Sequence, residues 1–130
     1  MKRGVDFDGT LAEYEKWEGA DVLGAPIPVM VKRVKGWLAQ GDDVVVVTAR
    51  AHPEHGDEAE IAIDAIRQWC VDNLGQELEV TCMKDSQMDE IWDDRGVRVE
   101  TNTGMVSPQT DIMMWDADPE ADSIGEFLGG

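Results

Sequence analysis

Basic residues are scarce in this sequence. Lysine and arginine together number 11, against 28 aspartates and glutamates, so the 130 residues carry a formal net charge of −17. A surface of this sign repels nucleic acid phosphates and anionic membranes at long range, which argues against a long nucleic acid as partner. One hypothesis is adaptation to a high-salt cytoplasm, where the repulsion is screened. A melting temperature that stays the same from low to molar salt would count against that hypothesis.

Long apolar runs and cysteine motifs are missing as well. No apolar run is much longer than Val44 to Val47, far short of a membrane span, and Met1 to Gly4 lacks the apolar stretch of a signal peptide. We therefore expect a cytoplasmic protein. Cys70 and Cys82 show no metal-ligand or redox spacing, so we expect both to be ordinary buried thiols.

The apolar pattern alternates between strand-like and helix-like segments. Gly4 to Phe7 predicts a short strand, and the valine run within Asp43 to Thr48 predicts a strand buried on both faces, as in a parallel sheet. A proline-rich start at residues 26 to 28 and a glycine at 41 delimit one helix. A second helix follows, with Asp57 and Glu60 in a capping-box arrangement and an end at Gly75.

Further short segments complete the pattern. Leu78 to Cys82 and Glu90 to Trp92 predict a third and a fourth strand, and Val97 to Val99 a fifth. Beyond Thr101 the pattern fades, with one possible strand at Asp111 to Trp115 and a short helix at Ser123 to Leu128. This order predicts a single α/β domain with a doubly wound, mostly parallel sheet, whose core covers about residues 4 to 100.

Polar side chains follow each of the first four predicted strands. Because ligands in open α/β sheets bind beyond the carboxyl ends of the strands, we expect these side chains to face one crevice. Carboxylates favour Mg²⁺, which takes substrate phosphate as a further ligand, and an ammonium or hydroxyl can hold phosphoryl oxygens. The set therefore predicts a phosphate site, and it comprises Asp6, Asp8, Thr48, Arg50, Lys84, Asp93 and Asp94.

The segment Asp6-Phe7-Asp8-Gly9-Thr10 resembles motif one of the haloacid dehalogenase (HAD) superfamily. The later elements have that family's order: Thr48 after an apolar strand, then Lys84, then Asp93-Asp94. The resemblance implies a HAD-like Rossmannoid three-layer sandwich of about five strands. Short gaps between the motifs imply that it has no cap domain, and that residues 11 to 24 form the only local flap over an open site.

The resemblance also implies residue roles. Asp6 would be the nucleophile and a magnesium ligand, and Asp8 the acid and base, with its backbone carbonyl on the metal. Thr48 and Lys84 would bind phosphate, and Asp93 with Asp94 would form the acidic metal site, without a choice between the two. An aspartate at Asp8 fits the phosphatase and phosphotransferase branches. The expected reaction is magnesium-dependent hydrolysis of a phosphomonoester through an aspartyl phosphate.

Several alternatives stay open at this point. Arg50 could bind substrate phosphate or pair with a carboxylate, and Trp17 could cover a bound base or sugar. Residues 46 to 50 also resemble the 3′-phosphatase domain of phage-type polynucleotide kinases, so the substrate could be a nucleotide or a nucleic acid end. A non-catalytic metal-binding module with the same fold is the alternative outside enzymes. The substrate would be a small phosphorylated molecule, and a homo-oligomer is possible.

Overall fold

A computed structural model gives the fold of residues 1–107, and the chain divides into two compact units, Met1–Asp94 and Arg95–Gly130. The first unit holds a parallel sheet of four strands: β1 (Lys2–Asp6), β2 (Asp43–Val47), β3 (Glu79–Thr81) and β4 (Glu90–Trp92). The strand order is β3-β2-β1-β4. The fold is therefore α/β and Rossmann-like, as the alternating pattern predicted.

Two helices connect the first three strands. Helix α1 (Pro28–Ala39) joins β1 to β2, and helix α2 (Asp57–Leu74) joins β2 to β3 after two short 3₁₀ turns at Ala49–Ala51 and Pro53–His55. Pro28 lies in the first turn of α1, where its missing N–H leaves no intrahelical bond unmade. Gly75 ends α2 in the left-handed conformation.

The start of α2 differs from the prediction. The helix begins at Asp57 itself, and Gly56 is the residue before it, without a side-chain hydrogen bond to the first turn. The predicted capping box of Asp57 and Glu60 is therefore wrong. The acidic side chains instead lie within the first turn, where they interact favourably with the positive end of the helix dipole.

Within residues 1–107 the sheet has four strands, not the five or so that the sequence predicted. Val97 to Val99 does not join the sheet; Val99 forms an isolated antiparallel bridge with Val106, and Glu100 N–H donates to the Met105 carbonyl at 2.8 Å. Both bridge partners belong to the second unit. A three-residue apolar alternation suits a local hairpin as well as a sheet strand, so the pattern could not separate them. The predicted elements at 111–115 and 123–128 lie outside the described residues.

Both helices pack against the same face of the sheet. Their buried side chains meet those of Val5, Phe7, Val44 and Val46 in one apolar cluster, in which the Phe7 and Trp69 rings lie 5.0 Å apart, edge to face. Burial of this cluster is the main source of stability of the first unit.

The opposite face of the sheet is covered differently. A Cβ built on Gly4 would lie 2.9 Å from the Met88 sulfur, which belongs to the connection between β3 and β4, and 3.2 Å from Ile91. Within residues 1–107 no α-helix packs on this face, so the third layer of the expected sandwich stays a prediction.

The order of the strands locates the crevice. From β1 the chain continues to β2 on one side, whereas β4 pairs with β1 on the other side. Such a reversal is the point at which open α/β sheets bind ligands, beyond the carboxyl ends of the strands. The carboxyl ends of β1, β2 and β4 are therefore the place to look for a site.

Two expectations from composition can also be compared with the structure. No helix in the described part of the chain is both long enough and apolar enough to cross a membrane. Cys70 is a buried free thiol, as expected, and burial raises its pKa to about 11, whereas Cys82 is free but only partly buried.

Candidate functional site

A tight turn follows β1. The Phe7 carbonyl accepts hydrogen bonds from the backbone N–H groups of Thr10, Leu11 and Ala12, at 3.3, 2.9 and 3.0 Å. Gly9 has a φ of +81°, a conformation that residues with a Cβ rarely adopt. The turn is short and internally bonded, so it fixes the positions of the two aspartates that flank Phe7.

Asp6 and Asp94 lie together at the carboxyl ends of β1 and β4. Burial, the hydrogen bond to Asp94 and the charge of that carboxylate together raise the pKa of Asp6 from 3.8 to about 7, and burial is the largest of these causes. The backbone of Phe7 and the Thr10 hydroxyl, 3.3 Å from the Asp6 carboxylate, oppose the shift. A proton on Asp6 relieves the repulsion between the two adjacent carboxylates, and a bound cation would do the same.

The contact with Asp6 distinguishes the two acidic residues that the sequence left equivalent. Asp94 hydrogen-bonds to Asp6 and also lies against the turn, since a Cβ built on Gly9 would come within 2.5 Å of an Asp94 carboxylate oxygen. Both Asp93 and Asp94 are exposed, so the contacts of Asp94, and not its burial, set it apart. The geometry thus favours Asp94 as the partner of Asp6 in binding a cation.

Asp8 has a different partner, Arg50. The Arg50 Nε donates to one Asp8 carboxylate oxygen at 2.7 Å, and an Arg50 terminal nitrogen donates to the other at 3.0 Å. This is the two-point pairing that suits guanidinium and carboxylate geometry. The Arg50 side chain is only 5% exposed and that of Asp8 21%, so the pair is held largely out of water.

Arg50 also binds the flap, residues 11 to 24. Its terminal nitrogens donate to the backbone carbonyls of Gly19, Ala20 and Val22, at 3.0, 3.1 and 3.2 Å. Together with the two bonds to Asp8, these use all five N–H donors of a guanidinium. A substrate phosphate would have to displace one of these acceptors, and phosphate binding by Arg50 stays a prediction.

Trp17 completes the surroundings of Arg50. The guanidinium carbon lies 4.7 Å from the centre of the Trp17 ring, within the range of a cation–π interaction. Trp17 itself is 53% exposed, so part of its ring faces solvent. The flap therefore presents an aromatic surface close to the Asp8–Arg50 pair.

Thr48 lies at the carboxyl end of β2, and it is 3% exposed. Its backbone N–H donates to the Thr81 carbonyl at 2.8 Å, and its hydroxyl oxygen accepts the Arg50 backbone N–H at 3.2 Å. A hydroxyl that accepts one bond keeps its own hydrogen to donate, which is what a phosphate-binding threonine needs. Its role as a phosphate binder stays a prediction.

Lys84 makes no described contact with Asp6, Asp8, Thr48 or Arg50. It is exposed in the connection between β3 and β4, and within residues 1–107 no hydrogen bond or ion pair involves it. A lysine side chain is long and flexible, so its proposed reach to a phosphate is not tested by this position. His52, in the loop after β2, accepts the Glu54 backbone N–H at 3.1 Å and serves the local turn.

Sequence reasoning missed the flap carbonyls as partners of Arg50. Backbone carbonyls have no sequence signal, and Asp8 and Arg50 are 42 residues apart in the chain, so no local pattern links them. Tyr14, Trp17 and several acidic residues predicted an ordered loop in this segment, but nothing in the sequence pointed to its carbonyls.

The donors present fit a magnesium ion. Among the described residues no group of three histidine, cysteine or acidic side chains has the arrangement of a metal site. Magnesium, however, is commonly bound by only one or two carboxylates and keeps several waters. Asp6 and Asp94 supply two carboxylates whose mutual repulsion a cation would relieve, as the raised pKa of Asp6 indicates.

Comparisons with known proteins give the fold alone. No protein-family model matches the chain, and no curated protein matches it. Among solved structures, the chain is similar to a conserved protein from Bacteroides thetaiotaomicron, with a TM-score of 0.51 and 23% sequence identity over 95% of this chain and 96% of that one. This likeness supports the α/β architecture of the described residues.

Proposed function

We propose that the protein is a magnesium-dependent phosphatase of the HAD type, which hydrolyses a phosphomonoester through a phosphorylated Asp6. The observation that carries this proposal is the pairing of Asp6 with Asp94 at the switch point of the sheet, with Asp8 held beside them by Arg50. In the described part of the chain, Asp6 therefore has no basic partner, and Asp8 is oriented by a guanidinium. The motif order that resembles the HAD superfamily supports the same assignment.

In the first half of the reaction, an Asp6 oxygen attacks phosphorus and the bond from phosphorus to the leaving oxygen breaks. Asp8, in its protonated form, gives its proton to that leaving oxygen, which departs as an alcohol. The turn at Gly9 keeps the two carboxylates on one short segment, so both reach the same phosphoryl group.

In the second half, Asp8 removes a proton from water, and the water oxygen attacks the phosphorylated Asp6 at phosphorus. The bond between phosphorus and the Asp6 oxygen breaks, which releases inorganic phosphate and restores both aspartates. Thr48 would hold a phosphoryl oxygen through its hydroxyl hydrogen, and Lys84 would neutralise part of the phosphate charge.

Asp6 and Asp94 would bind the magnesium ion, with Asp93 and the Asp8 backbone carbonyl as further candidates. When bound, the ion supplies positive charge that offsets the repulsion between an anionic nucleophile and an anionic phosphate. Its charge would also favour the ionised form of Asp6, which the attack on phosphorus needs.

The site is proposed to lack a cap. The connections from β1 to α1 and from β2 to α2 hold only the flap and two short 3₁₀ turns, and residues 82 to 89 join β3 to β4. The flap is closed at its base by the Glu13 N–H, which donates to the Ala25 carbonyl at 2.8 Å. Such a site is open to a substrate larger than inorganic phosphate.

The test is hydrolysis of a panel of phosphomonoesters, nucleotides and 3′-phosphorylated oligonucleotides, with and without magnesium. Activity that requires magnesium and disappears in Asp6→Asn supports the proposal. If no member is hydrolysed, beryllium fluoride with magnesium separates the remaining cases: thermal stabilisation of the wild type but not of Asp6→Asn indicates a working site with another substrate. The absence of any stabilisation contradicts the proposal and favours a non-catalytic binding module.

A nucleotide is the second candidate substrate, because an exposed aromatic ring lies next to the acid–base carboxylate. Trp17 could stack on a base while Asp8 and Arg50 lie beneath it. Trp17→Ala should then raise KM for nucleoside monophosphates about tenfold and leave KM for sugar phosphates unchanged. An equal effect on both substrate classes would argue against base stacking.

A further inference from the structure

Arg50 connects two parts of the site that are far apart in sequence. One edge of its guanidinium binds both carboxylate oxygens of Asp8, and its remaining donors bind three backbone carbonyls of the flap. A planar guanidinium has its donors in fixed directions, so it cannot turn toward one partner without releasing the other. The orientation of Asp8 and the position of the flap are therefore mechanically linked.

Burial strengthens this link. At 6% exposure, the Arg50 residue is almost completely enclosed, and the Trp17 ring lies over its guanidinium at 4.7 Å. A charge pair shielded from water is screened less than a surface pair and holds its geometry more firmly. Withdrawal of the flap would remove the carbonyl acceptors and the covering ring together, which exposes the Asp8–Arg50 pair to water.

The base of the flap is independently fixed, which confines the motion to its tip. Gly24 packs so closely on the Glu13 backbone that a Cβ there would lie 1.8 Å from the Glu13 carbonyl oxygen, and the Gly24 carbonyl accepts the Trp69 indole N–H at 3.0 Å. In residues 17 to 22, by contrast, the described hydrogen bonds to the rest of the chain come from Arg50, and the Trp17 ring also lies against it.

We propose that Arg50 is a positioning residue that couples closure of the flap tip to the orientation of Asp8. With the flap closed, Arg50 holds the Asp8 carboxylate in a fixed direction beside Asp6; with the flap open, Asp8 loses that restraint. Substrate entry and proton transfer are thereby linked through one side chain. The catalytic part of this inference rests on the proposed phosphatase function, whereas the mechanical coupling does not.

The catalytic arm of the test uses the leaving group. A p-nitrophenolate leaves without a proton, whereas an alkoxide needs one from Asp8, so loss of Asp8 orientation should harm alkyl phosphates far more. Arg50→Lys should lower the pre-steady-state rate of alcohol release from an alkyl phosphate about tenfold or more, but that of nitrophenolate release from p-nitrophenyl phosphate less than about threefold, at an unchanged half-saturating substrate concentration. Arg67→Lys, an exposed arginine on α2, is the matched control.

Three results would overturn the catalytic part. An equal loss of the leaving-group release rate with both substrates, or a rise in the half-saturating substrate concentration alone, would indicate that Arg50 binds phosphate directly. In Arg50→Ala, added guanidinium ion at a concentration that does not unfold the protein should restore alkyl phosphate hydrolysis. Failure of this rescue in a variant that is folded by circular dichroism would also count against the proposal.

The mechanical arm needs no activity, and it uses Lys16, an exposed lysine within the flap. Trypsin should cleave after Lys16 faster in both Arg50→Lys and Asp8→Asn than in the wild type or Arg67→Lys. The double variant should be cleaved little faster than Arg50→Lys alone, because both changes break the same link. If Asp8→Asn leaves the cleavage rate unchanged, the flap and Asp8 are not coupled and the inference is wrong, whatever the outcome of the phosphatase assays.

Discussion

The two aspartates that flank Phe7 have opposite surroundings, although they belong to the same turn. Asp6 faces another carboxylate, Asp94, and within the described residues no basic side chain pairs with it. Asp8, by contrast, is paired with a buried arginine, Arg50, through both carboxylate oxygens. Within the described residues, the fold therefore places a positive charge next to Asp8 and none next to Asp6. We interpret the unpaired side as the place for a cation and the paired side as the place for proton transfer.

The largest effect that sharpens this comparison is expected from Asp6→Asn. Loss of the nucleophile should lower kcat about 10⁴-fold or more, while the fold is kept, because the amide cannot form a phosphorylated intermediate but replaces the carboxyl without change of shape. The measurement is steady-state hydrolysis at saturating magnesium. Asp64→Asn, an exposed change on α2, serves as control and should leave kcat unaltered. Retention of activity in Asp6→Asn would contradict the assignment of Asp6 as the nucleophile.

The second largest effect is expected in the magnesium requirement, which should differ between variants of Asp94 and of Asp93. Asp94→Asn removes the carboxylate that contacts Asp6, and we expect the magnesium concentration needed for half-maximal activity to rise about tenfold or more. Asp93→Asn should change it by less than about threefold, because the contact with Asp6 belongs to Asp94. A magnesium titration of both variants checks this. Equal effects would show that the ion sits between the two residues, rather than beside Asp6 and Asp94.

A pair of glycine substitutions tests how closely Asp94 approaches the turn. Gly9→Ala combines an unfavourable φ of +81° with a Cβ 2.5 Å from an Asp94 oxygen, whereas Gly41→Ala combines a similar φ of +89° with open space. The shared backbone strain should destabilise both by about 1–2 kcal/mol. Urea unfolding should show a larger loss for Gly9→Ala. Equal losses of unfolding free energy would mean that the Asp94 side chain moves away from the new Cβ without destabilising the fold.

The smallest effect is expected in the pH dependence of stability without magnesium. Unfolded aspartate releases its proton near pH 3.8, but folded Asp6 keeps it up to about pH 7. The folded state thus binds more protons in this window, and its stability decreases as the pH rises from about 4 to about 7. The wild type should lose more stability than Asp6→Asn over this range. Magnesium should remove most of the difference, and parallel curves would contradict the proposed pair.

Much of the first unit could be predicted from sequence because its signals are local. The valine run of β2 and the three-and-four spacing of α1 mark elements that bury one face or both, and turn residues mark their ends. The positions of Asp6 and Asp8 at the end of β1 followed from the same reasoning. The predicted fifth strand failed because Val99 finds its partner, Val106, within its own segment.

The partners within the site were beyond sequence reasoning for a different reason. Whether Arg50 meets a phosphate or a carboxylate depends on the path of the flap, and three of its five acceptors are backbone carbonyls. The choice between Asp93 and Asp94 depends on how the chain leaves β4. Residue type and spacing encode neither the partner of Arg50 nor the choice between Asp93 and Asp94, because both depend on the three-dimensional path of the chain.

The most direct test of the separate roles of the two aspartates is a pre-steady-state burst experiment on Asp8→Asn with excess p-nitrophenyl phosphate and magnesium. Formation of the intermediate needs no proton for this leaving group, whereas its hydrolysis needs Asp8 as base. The account predicts a burst of one nitrophenolate per protein followed by slow turnover, with the phosphoryl group located on Asp6 by mass spectrometry of the quenched protein. A burst without phosphorylation of Asp6, or steady turnover at the wild-type rate, would contradict it.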